Sequence, residues 1–376
     1  MKGHVYKRAP GKFWIVLELG KDQRGRRKQR FVTFYGNKKA ADAELLRHLQ
    51  MMESGFYVEP STMTVGEYLE SWLADHVRHT VTPRSFERYR TIVRLHLVPA
   101  LGHLTLDKLH PMKIQELWAR QLEAGISSTT VRKHHNVLHA ALAHAVKMRL
   151  LIVNPANAVT PPKPRHCEMK VLGDDGVARL LAAVEGTPIH IAVLVALATG
   201  MRRGEVLGLR WSDVDFAAGS LAVRQTLQEA QGKRIFKEPK TPKSRRVIAL
   251  PAVALDALRQ HRAKQAEIRL RMGQLYQDHD LVCTQSDGSP WWSSGFDRAF
   301  RKAKKRAGID VRFHDLRHTH ATQLLRAGVH PKVVSERLGH ASIGITLDTY
   351  SHVLPSMQEE AADKINEGLR KALLAG

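Results

Sequence analysis

The 376-residue chain contains only two cysteines, Cys167 and Cys283, which are far apart in the sequence. Two isolated thiols with no CxxC spacing argue against a disulfide framework and a zinc finger, and we expect both to be ordinary packed side chains. No apolar run approaches the roughly 18 residues of a membrane span, and the basic, polar N-terminus does not resemble a signal peptide. We therefore expect a cytoplasmic protein with no membrane partner.

Acidic residues are scarce relative to basic ones. Lysine and arginine number 59 against 36 aspartate and glutamate, which gives a formal net charge of +23. Such a surplus repels itself unless a polyanion neutralises it, so nucleic acid is the first candidate partner, with binding that weakens as salt rises. The alternative is a basic surface that serves only solubility. The apolar content of 43% is normal for a folded chain, and the length predicts two or three domains.

The N-terminal segment combines strand patterns with a concentration of basic residues. Phe13–Leu17 and Arg30–Tyr35 predict two strands joined by the polar, basic turn Gly20–Lys28, and Lys38–Met52 has helical composition. A two-stranded ribbon can enter the major groove of DNA, so this segment is interpreted as a small accessory DNA-binding module. A passive basic hairpin is the alternative.

The next segment, residues 62–158, has the pattern of an all-helical domain. Helix starts are predicted by a capping box at Thr64, by Thr82 and His110 before prolines, and by Ser127. Four helices with basic outer faces suit contact with a DNA backbone, although scattered arginines usually indicate a solvated face. The basic residues concerned are Arg84, Arg88, Arg90, Arg94, Arg132 and Lys133.

A proline-rich stretch, Val153–Cys167, cannot continue a helix and is interpreted as an interdomain linker. The domain beyond it is predicted to be mainly helical with a small antiparallel sheet. Its strand candidates are Ser220–Leu227, Lys233–Lys237 and Arg245–Leu250, and a final helix is predicted over Met357–Leu374.

Four short clusters in this third domain carry chemically useful side chains. Each cluster alone is weak, because an arginine after a glycine is usually a helix cap, a basic hairpin is often only a turn, and a tyrosine near a helix end is usually packed. The clusters are Thr199–Trp211 around Arg202, the hairpin Lys240–Arg246, His314–Thr319, and Leu338–His340 followed by Tyr350.

The histidines of the third cluster require a metal site to be considered. His314, His318 and His320 resemble ligand spacing, but only His314 and His318 share a helix face. No nearby carboxylate or cysteine completes a tetrahedral set, so we expect no metal. His314 and Arg317, three residues apart on a helix, are instead placed to address one ligand.

Taken together, the clusters resemble the tyrosine recombinase (phage integrase) family. The resemblance is carried by TGMRRGE, the KT-bearing hairpin, HDLRHTHAT, LGH and DTYSHV, and it covers the whole third domain. It implies two catalytic arginines, a hairpin lysine, two histidines, a tyrosine nucleophile and a supporting glutamate. In that order these are Arg202 and Arg317, Lys240, His314 and His340, Tyr350, and Glu205.

The resemblance also implies a multidomain, mainly α fold with small antiparallel β elements. It predicts an N-terminal β-rich arm-type DNA-binding domain (1–58), a helical core-DNA-binding domain (62–158) and a mixed α/β catalytic domain (168–356). In the C-terminal helix (357–376), an apolar stripe is formed by Ala361, Ile365, Leu369 and Leu373. This stripe would dock on a neighbouring subunit or pack on its own domain.

The implied activity is site-specific cutting and rejoining of DNA through a 3′-phosphotyrosyl intermediate, integrating or excising a phage or other mobile element. Because the covalent link conserves the phosphodiester, neither metal nor nucleotide cofactor is expected, and the sequence contains no Walker-type glycine loop. The expected partners are double-stranded DNA attachment sites, a homotetramer on that DNA, a host DNA-bending protein and an excision factor.

Two other classes of function remain open at this point. The first is a relaxing topoisomerase or a recombinase that resolves chromosome dimers, since these enzymes use similar sites. The second is a DNA-binding regulator whose recombinase domain is inactive. The basic N-terminal module favours an integrase, and the complete set of site residues argues against the regulator.

Overall fold

The computed structural model describes residues 3–21, 25–53, 62–164, 169–230, 232–238, 245–350 and 357–375. The chain divides into two compact units, Met1–His166 and Cys167–Gly376. Each unit contains its own hydrophobic clusters.

The first unit begins with a three-stranded antiparallel sheet and a helix. The elements are β1 (Gly3–Ala9), β2 (Lys12–Lys21), β3 (Arg27–Tyr35) and α1 (Lys38–Glu53), with strand order β1-β2-β3. Ile15 and Leu17 on one face of β2 are fully buried beside Met52 of α1. The predicted two-stranded ribbon was therefore incomplete: β1 was missed because Val5 is its one aliphatic residue packed in this cluster.

The rest of the first unit is a helical bundle. Two of its helices contain a central π-helical segment, which adds one residue to the turn. The elements are α2 (Val65–Ser71), a π-helical segment (Trp72–Val77), α3 (Arg78–Thr80), α4 (Pro83–Ile92), a π-helical segment (Val93–Leu97), α5 (Val98–Leu101), a 3-10 turn (Leu106–Lys108), α6 (Pro111–Glu123), α7 (Ser128–Lys147) and a 3-10 turn (Pro155–Ala158).

The predicted helix starts in this bundle are confirmed. The Thr64 side chain accepts from the amide of Glu67, whose carboxylate accepts from the amide of Thr64 at 2.8 Å, so the capping box is complete. Thr82 and Ser127 cap α4 and α7 in the same way, each accepting from an amide three residues on.

The predicted linker was wrong at its N-terminal end. Ala156 and Val159 are buried in the core of the bundle, so Pro155 belongs to this domain. Asn154 stabilises the turn, since its Oδ1 accepts from the amide of Ala156 at 2.9 Å and its Nδ2 donates to the carbonyl of His139 at 3.1 Å. Polar side-chain bonds of this kind give an irregular segment the partners that a helix would otherwise supply.

The second unit is mainly helical, as the sequence predicted, but it contains two small antiparallel sheets where the sequence predicted one. Its elements are α8 (Asp174–Val184), α9 (His190–Thr199), α10 (Arg203–Leu207), a 3-10 turn (Trp211–Asp213), β4 (Val214–Asp215), β5 (Ser220–Val223), β6 (Thr226–Ala230), β7 (Lys233–Lys237), β8 (Arg246–Ala249), α11 (Ala252–Met272), a 3-10 turn (Gly273–Leu275), α12 (Ser293–Arg306), α13 (Asp315–Arg326), α14 (Pro331–Leu338), α15 (Ile343–Tyr350) and α16 (Met357–Ala375). Helix α9 is central and packs against α13.

The strand predicted over Ser220–Leu227 is in fact two strands in different sheets. β5 pairs with β4 and β8, whereas β6 pairs with β7 as a hairpin. At the break, Nε2 of Gln225 donates to the carbonyl of Gly208 at 2.8 Å, a bond that the local pattern could not reveal. Residues 239–244, which include Lys240, lie outside the described residues.

The fold bears on the cysteines and on the expected lack of a membrane span. Cys283 is buried at 1% exposure, and burial raises the pKa of its thiol to about 12, as expected for a packed side chain. Cys167 lies outside the described residues. Within the ranges that the structure describes, no helix combines the length and apolar character needed to cross a bilayer.

Candidate active site

The functional side chains of the second unit meet where α9, α13, α14 and α15 come together. Arg317 on α13 is 3% exposed, and its guanidinium donates to the carbonyl oxygens of Gly200 and Leu338, at 2.8 Å each. These carbonyls lie at the C-terminal ends of α9 and α14, where the helix dipoles favour a cation. Burial, followed by the charge of Arg202, lowers the pKa of Arg317 to about 9, so the guanidinium remains charged at neutral pH.

Gly200 makes this close approach possible. It ends α9 with φ 67°, in the left-handed region. A Cβ at this position would lie 2.6 Å from Cδ2 of Leu338 and 2.7 Å from Cδ2 of His320. The end of α9 can therefore lie against α13 and α14 only because residue 200 has no side chain.

Arg202 is the second arginine of the site, at the first turn of α10. Its Nη1 donates to Oε1 of Glu205 at 2.8 Å and its Nη2 donates to the carbonyl of Gly339 at 3.3 Å. The side chain is 40% exposed, in contrast to Arg317, so it remains accessible to a ligand. Both arginines are thus anchored on carbonyl oxygens at the end of α14, those of Leu338 and Gly339, and the charge of Arg202 acts on Arg317.

Glu205 supports the site by holding two arginines. Besides Arg202, its carboxylate receives a bond from Nη2 of Arg246 at 2.9 Å, and the side chains of both Glu205 and Arg246 are almost completely buried. Burial alone would raise the pKa of Glu205, but the charge of Arg246 and its hydrogen bond outweigh that effect and lower it. The sequence had placed Arg246 only as one of several hairpin cations.

The two predicted histidines both lie close enough to Arg317 for its charge to act on them. His314 is exposed at the first residue before α13, and partial desolvation and the charge of Arg317 lower its pKa. His340 follows α14 and is bonded through Nδ1 to Oγ1 of the buried Thr346 at 2.7 Å. Burial, followed by the charge of Arg317, lowers the pKa of His340 to about 4, so at pH 7 its ring is neutral.

Tyr350, the predicted nucleophile, is the last residue of α15 and is 1% exposed. Its ring packs in a small cluster with Leu325, Val334 and Leu338. Its hydroxyl lies 2.8 Å from Nδ1 of His318. Burial raises the pKa of Tyr350 to about 12, although the charge of Arg317 acts in the opposite direction. The phenol is therefore close to Arg317 and shielded from solvent.

His318 is the functional residue that sequence reasoning did not assign. His318 lies one helical turn from His314 in the sequence, and the spacing pattern indicated only a metal ligand, which was not expected. In the structure the two rings meet edge to face with centroids 5.3 Å apart, and His318 turns Nδ1 toward Tyr350. The contact joins residues 32 positions apart, so no local pattern could have found it.

His320, the third histidine considered as a metal ligand, is hydrogen-bonded within the protein. Nδ1 of His320 lies 2.7 Å from the carbonyl of Leu197, and its Nε2 accepts from Nε of Arg337 at 3.1 Å. Both ring nitrogens are therefore occupied by protein groups. Among the described residues, no group of three or more histidine, cysteine or acidic side chains is arranged to hold a metal ion.

A basic cavity of about 570 Å³ opens beside His314. It lies between the start of α10 and helix α12, and Asp297 in its wall pairs with Arg203 at 2.5 Å. The cations that line it are Arg203, Arg301, Lys304 and Arg312. A larger cavity of about 700 Å³ lies along the sheets and is lined by Arg210, Arg224, Lys237, Arg245 and Arg246.

Comparison with known families gives two matches. The phage integrase family model matches residues 170–357, and a model described as phage integrase, N-terminal SAM-like domain matches residues 64–122. The first match spans every described residue of the site.

Relatives of similar length are known. The tyrosine recombinase XerC-like protein of Caldanaerobacter subterraneus subsp. tengcongensis is 30% identical over 94% of this chain and 95% of its own length. The integrase of Streptomyces ambofaciens is 29% identical over 93% of this chain and 92% of its own length.

Solved structures share the fold. The Tn1549 transposon integrase in complex with a circular intermediate DNA superposes with a TM-score of 0.69 at 20% identity, over 81% of this chain and 100% of that chain. The lambda integrase tetramer bound to a Holliday junction gives 0.57 at 19% identity, over 90% and 95% of the two chains.

Proposed function

The chain belongs to the phage integrase family of tyrosine recombinases, and on that premise we propose how its own residues cut and rejoin DNA. The proposal assigns Tyr350 as the nucleophile and Arg202 and Arg317 as the groups that bind the scissile phosphate. The observation that carries it is the convergence of both guanidiniums, the neutral ring of His340 and the phenol in one unit.

The cationic groups can stabilise the negative charge of the transition state. A phosphodiester is an anion, and attack by a phenolic oxygen adds negative charge in the transition state. Guanidiniums of Arg202 and Arg317 can each donate to non-bridging oxygens, and His314 and His340 can add hydrogen bonds to the same oxygens. Because main-chain carbonyls hold both arginines, their positions are fixed before DNA arrives.

Proton transfers complete the proposed chemistry. Tyr350 loses its proton as its oxygen bonds to phosphorus, and the bond to the 5′ oxygen breaks with its electron pair on that oxygen. We assign Lys240, outside the described residues, as the acid that protonates the 5′ oxygen. The resulting 3′-phosphotyrosyl link conserves the phosphodiester, so we expect cleavage and strand exchange to proceed in EDTA without nucleotide.

The buried phenol requires a conformational change before it can react. At 1% exposure the Tyr350 hydroxyl cannot meet a phosphate without displacement of the end of α15. We propose that DNA binding and assembly cause this displacement. If the hydroxyl stays buried in a structure of the oligomer with its DNA substrate, the assignment of Tyr350 is wrong.

The sheet of the N-terminal module supports a second DNA contact. The face opposite α1 exposes Tyr6, Phe31 and Tyr35, at 60%, 54% and 71%. Two cations lie on the same face: Arg8 is 3.7 Å from the centroid of Trp14, and Lys12 is 5.6 Å from that of Tyr35. We propose that residues 1–58 bind arm-type sites, residues 62–158 bind the core site and residues 168–356 carry the reaction.

Assembly on DNA is part of the proposal. Exchange between two duplexes requires two cuts in each, so we propose a homotetramer of protomers on paired attachment sites. Helix α16 has an exposed apolar stripe that could contact another protomer. Its members Ile365, Leu369 and Leu373 are 66%, 58% and 81% exposed. We propose that α16 docks on a neighbouring subunit. A host DNA-bending protein and an excision factor would direct the reaction, and association with the nucleoid would follow from the DNA substrate.

The relatives' names favour an integrase of a phage or other mobile element over the alternatives. Several integrases are among the relatives, including those of Mycobacterium phage D29 and Staphylococcus phage L54a. The XerC-like name of another relative keeps a dimer-resolving recombinase as the second candidate. A regulator with an inactive recombinase domain would form no covalent adduct with DNA.

A nicked substrate tests the proposed function directly. A nick next to the cleaved bond lets the leaving fragment diffuse away, so the covalent protein–DNA species accumulates. The full-length protein should form this adduct, and Tyr350→Phe should bind the same DNA without forming it. Adducts with Tyr350→Phe would mean that the nucleophile is another residue, and no adduct from the unchanged protein would favour the regulator.

A further inference from the structure

The contact between His318 and Tyr350 suggests a role for a residue to which the proposed function gives none. Nδ1 of His318 lies 2.8 Å from the phenolic oxygen, within reach for proton transfer. A phenol is a good O–H donor, and an imidazole that carries its proton on Nε2 accepts at Nδ1. The pair is thus in the geometry of a nucleophile and its base.

The surroundings of His318 keep its ring neutral. Burial, followed by the neighbouring His314, lowers the pKa of His318 to about 4, with smaller contributions from Arg317 and Arg312. Asp315 acts in the opposite direction but does not compensate. At pH 7 the ring therefore has a free acceptor nitrogen. An anionic phosphodiester bound by the arginines would offset their charge and make the ring more basic.

Two of the other histidines of the site are hydrogen-bonded to protein groups other than Tyr350. His340 is bonded through Nδ1 to Thr346, and both nitrogens of His320 face protein groups. His314 meets His318 edge to face at 5.3 Å between centroids. Among the described residues, His318 is the histidine whose ring nitrogen lies at the phenolic oxygen.

We propose that His318 is a catalytic residue, the base that takes the proton of Tyr350 during DNA cleavage. The inference rests on the proposed function, because it assumes that Tyr350 is the nucleophile. As the phenolic O–H bond breaks, its proton passes to Nδ1 and the oxygen's electron pair bonds to phosphorus. The bond to the 5′ oxygen then breaks, and that oxygen is protonated by the acid of the site. In resealing, the imidazolium returns the proton to the phenolic oxygen.

The position of His318 on α13 suits this role. It is adjacent in sequence to Arg317, whose charge interacts with Tyr350, so one helix presents both the phosphate-binding cation and the proton acceptor. The side chain of His318 is only half-buried, whereas Tyr350 is 1% exposed, so the proposal requires His318 to stay with the phenol when the end of α15 is displaced. A positioned general base typically accelerates a reaction by about 10² to 10⁴-fold.

The first test is His318→Asn in the full-length protein. Asparagine keeps a short side chain with an acceptor oxygen, but it cannot take a proton. We expect single-turnover cleavage of the nicked substrate at saturating DNA to fall by about 10² or more, with DNA affinity unchanged. His279→Asn, at an exposed histidine of the same unit, is the matched control and should cleave at the unchanged rate. His318→Gln repeats the test if the asparagine variant does not fold.

A second measurement separates proton transfer from a structural effect. Replacing Tyr350 by a fluorinated tyrosine, whose phenol is more acidic, reduces the need for a base. We expect this replacement to restore cleavage at least tenfold in the His318→Asn protein and to change the His279→Asn protein much less. Packing defects at position 318 would not respond to the acidity of the phenol.

The outcomes distinguish this inference from the proposed function. Unchanged or faster cleavage by His318→Asn would overturn the inference and show that His318 only holds the resting phenol. A slow variant that fluorinated tyrosine does not restore would also overturn it, in favour of a structural role. Adducts formed by Tyr350→Phe would instead overturn the assignment of the nucleophile itself.

Discussion

Arg246 and Glu205 form an ion pair at 2.9 Å in which both side chains are about 5% exposed. Removing one partner of a buried pair typically costs about 3 to 5 kcal/mol when the other charge is left without compensation, but Glu205 would keep its bond to Arg202. We therefore expect Arg246→Met to lower the free energy of unfolding of the second unit by less than this full amount, about 2 to 3 kcal/mol, measured by urea denaturation. We also expect slower cleavage, because Glu205 holds Arg202.

An exposed pair provides the control for this prediction. Arg259 and Asp256 are 2.8 Å apart but more than half exposed, so Arg259→Met should change stability by less than about 1 kcal/mol. Equal losses of unfolding free energy for the two substitutions would show that the buried pair stabilises the protein no more than the exposed pair does.

Arg317 should be indispensable for cleavage. Arg317→Ala removes a donor to the phosphate, and loss of one such donor typically costs about 3 to 4 kcal/mol of transition-state stabilisation, roughly a 10² to 10³-fold loss of rate. Arg317→Lys should recover little, since one ammonium cannot reach the carbonyls of both Gly200 and Leu338 with a planar fork. Single-turnover cleavage measures both, with Arg326→Ala, exposed in the last turn of the same helix, as the control.

Gly200 and Gly125 allow the effect of close packing to be measured separately from backbone strain. Both have a left-handed φ, 67° and 82°, so an alanine at either position is strained. Only at Gly200 does the added Cβ meet other side chains, at 2.6 and 2.7 Å. We expect Gly200→Ala to be more destabilising by about 1 to 3 kcal/mol and to slow cleavage, whereas Gly125→Ala should leave cleavage unaffected. Similar losses at both glycines would contradict the packing argument.

The helical bundle should lose stability in mild acid because of its buried histidines. Burial, followed by the neighbouring His96, lowers the pKa of His134 to about 4, and the two rings stack at 4.3 Å. Since the folded pKa lies below the unfolded value of about 6.5, the stabilisation is present above pH 6.5 and is lost as the pH falls toward 4.

This loss of unfolding free energy should be on the order of 1 to 3 kcal/mol. Thermal unfolding at a series of pH values measures it. His134→Gln should flatten the acid limb of the profile, since glutamine does not titrate. His79→Gln, at an exposed histidine, should leave the limb as it was. An acid limb that persists in the first variant would show that other groups produce it.

The apolar stripe of α16 gives a prediction about assembly. Replacing Ile365 and Leu369, both more than half exposed, with serine should not reduce the stability of the free chain. It should weaken higher-order complexes on DNA in native gels or analytical ultracentrifugation. Tetramers that survive deletion of 357–376 would exclude a role for this helix in assembly.

The features that the sequence predicted well are those determined within a few residues. Thr64 and Glu67 form their capping box within one helical turn, and Thr82 lies next to the proline that starts α4. The site residues could be proposed because their clusters form a recognisable series, and the structure brings every described member into one unit. Lys240 remains a prediction because it lies outside the described residues.

The features that the sequence missed depend on distant partners. The break between β5 and β6 is held by Gln225 and the carbonyl of Gly208, 17 positions away. Arg246 and Glu205 are separated by 41 positions, and His318 and Tyr350 by 32. Hydrophobic periodicity and turn residues carry no information about such pairs, because the fold and not the local chain brings them together.

The two arginines proposed to bind the phosphate donate mainly to peptide oxygens at the ends of helices, namely those of Gly200, Leu338 and Gly339. A peptide oxygen is present whatever side chain its residue carries. Side-chain substitutions that the packing tolerates at these three positions would therefore leave the anchoring oxygens of both positive charges in place.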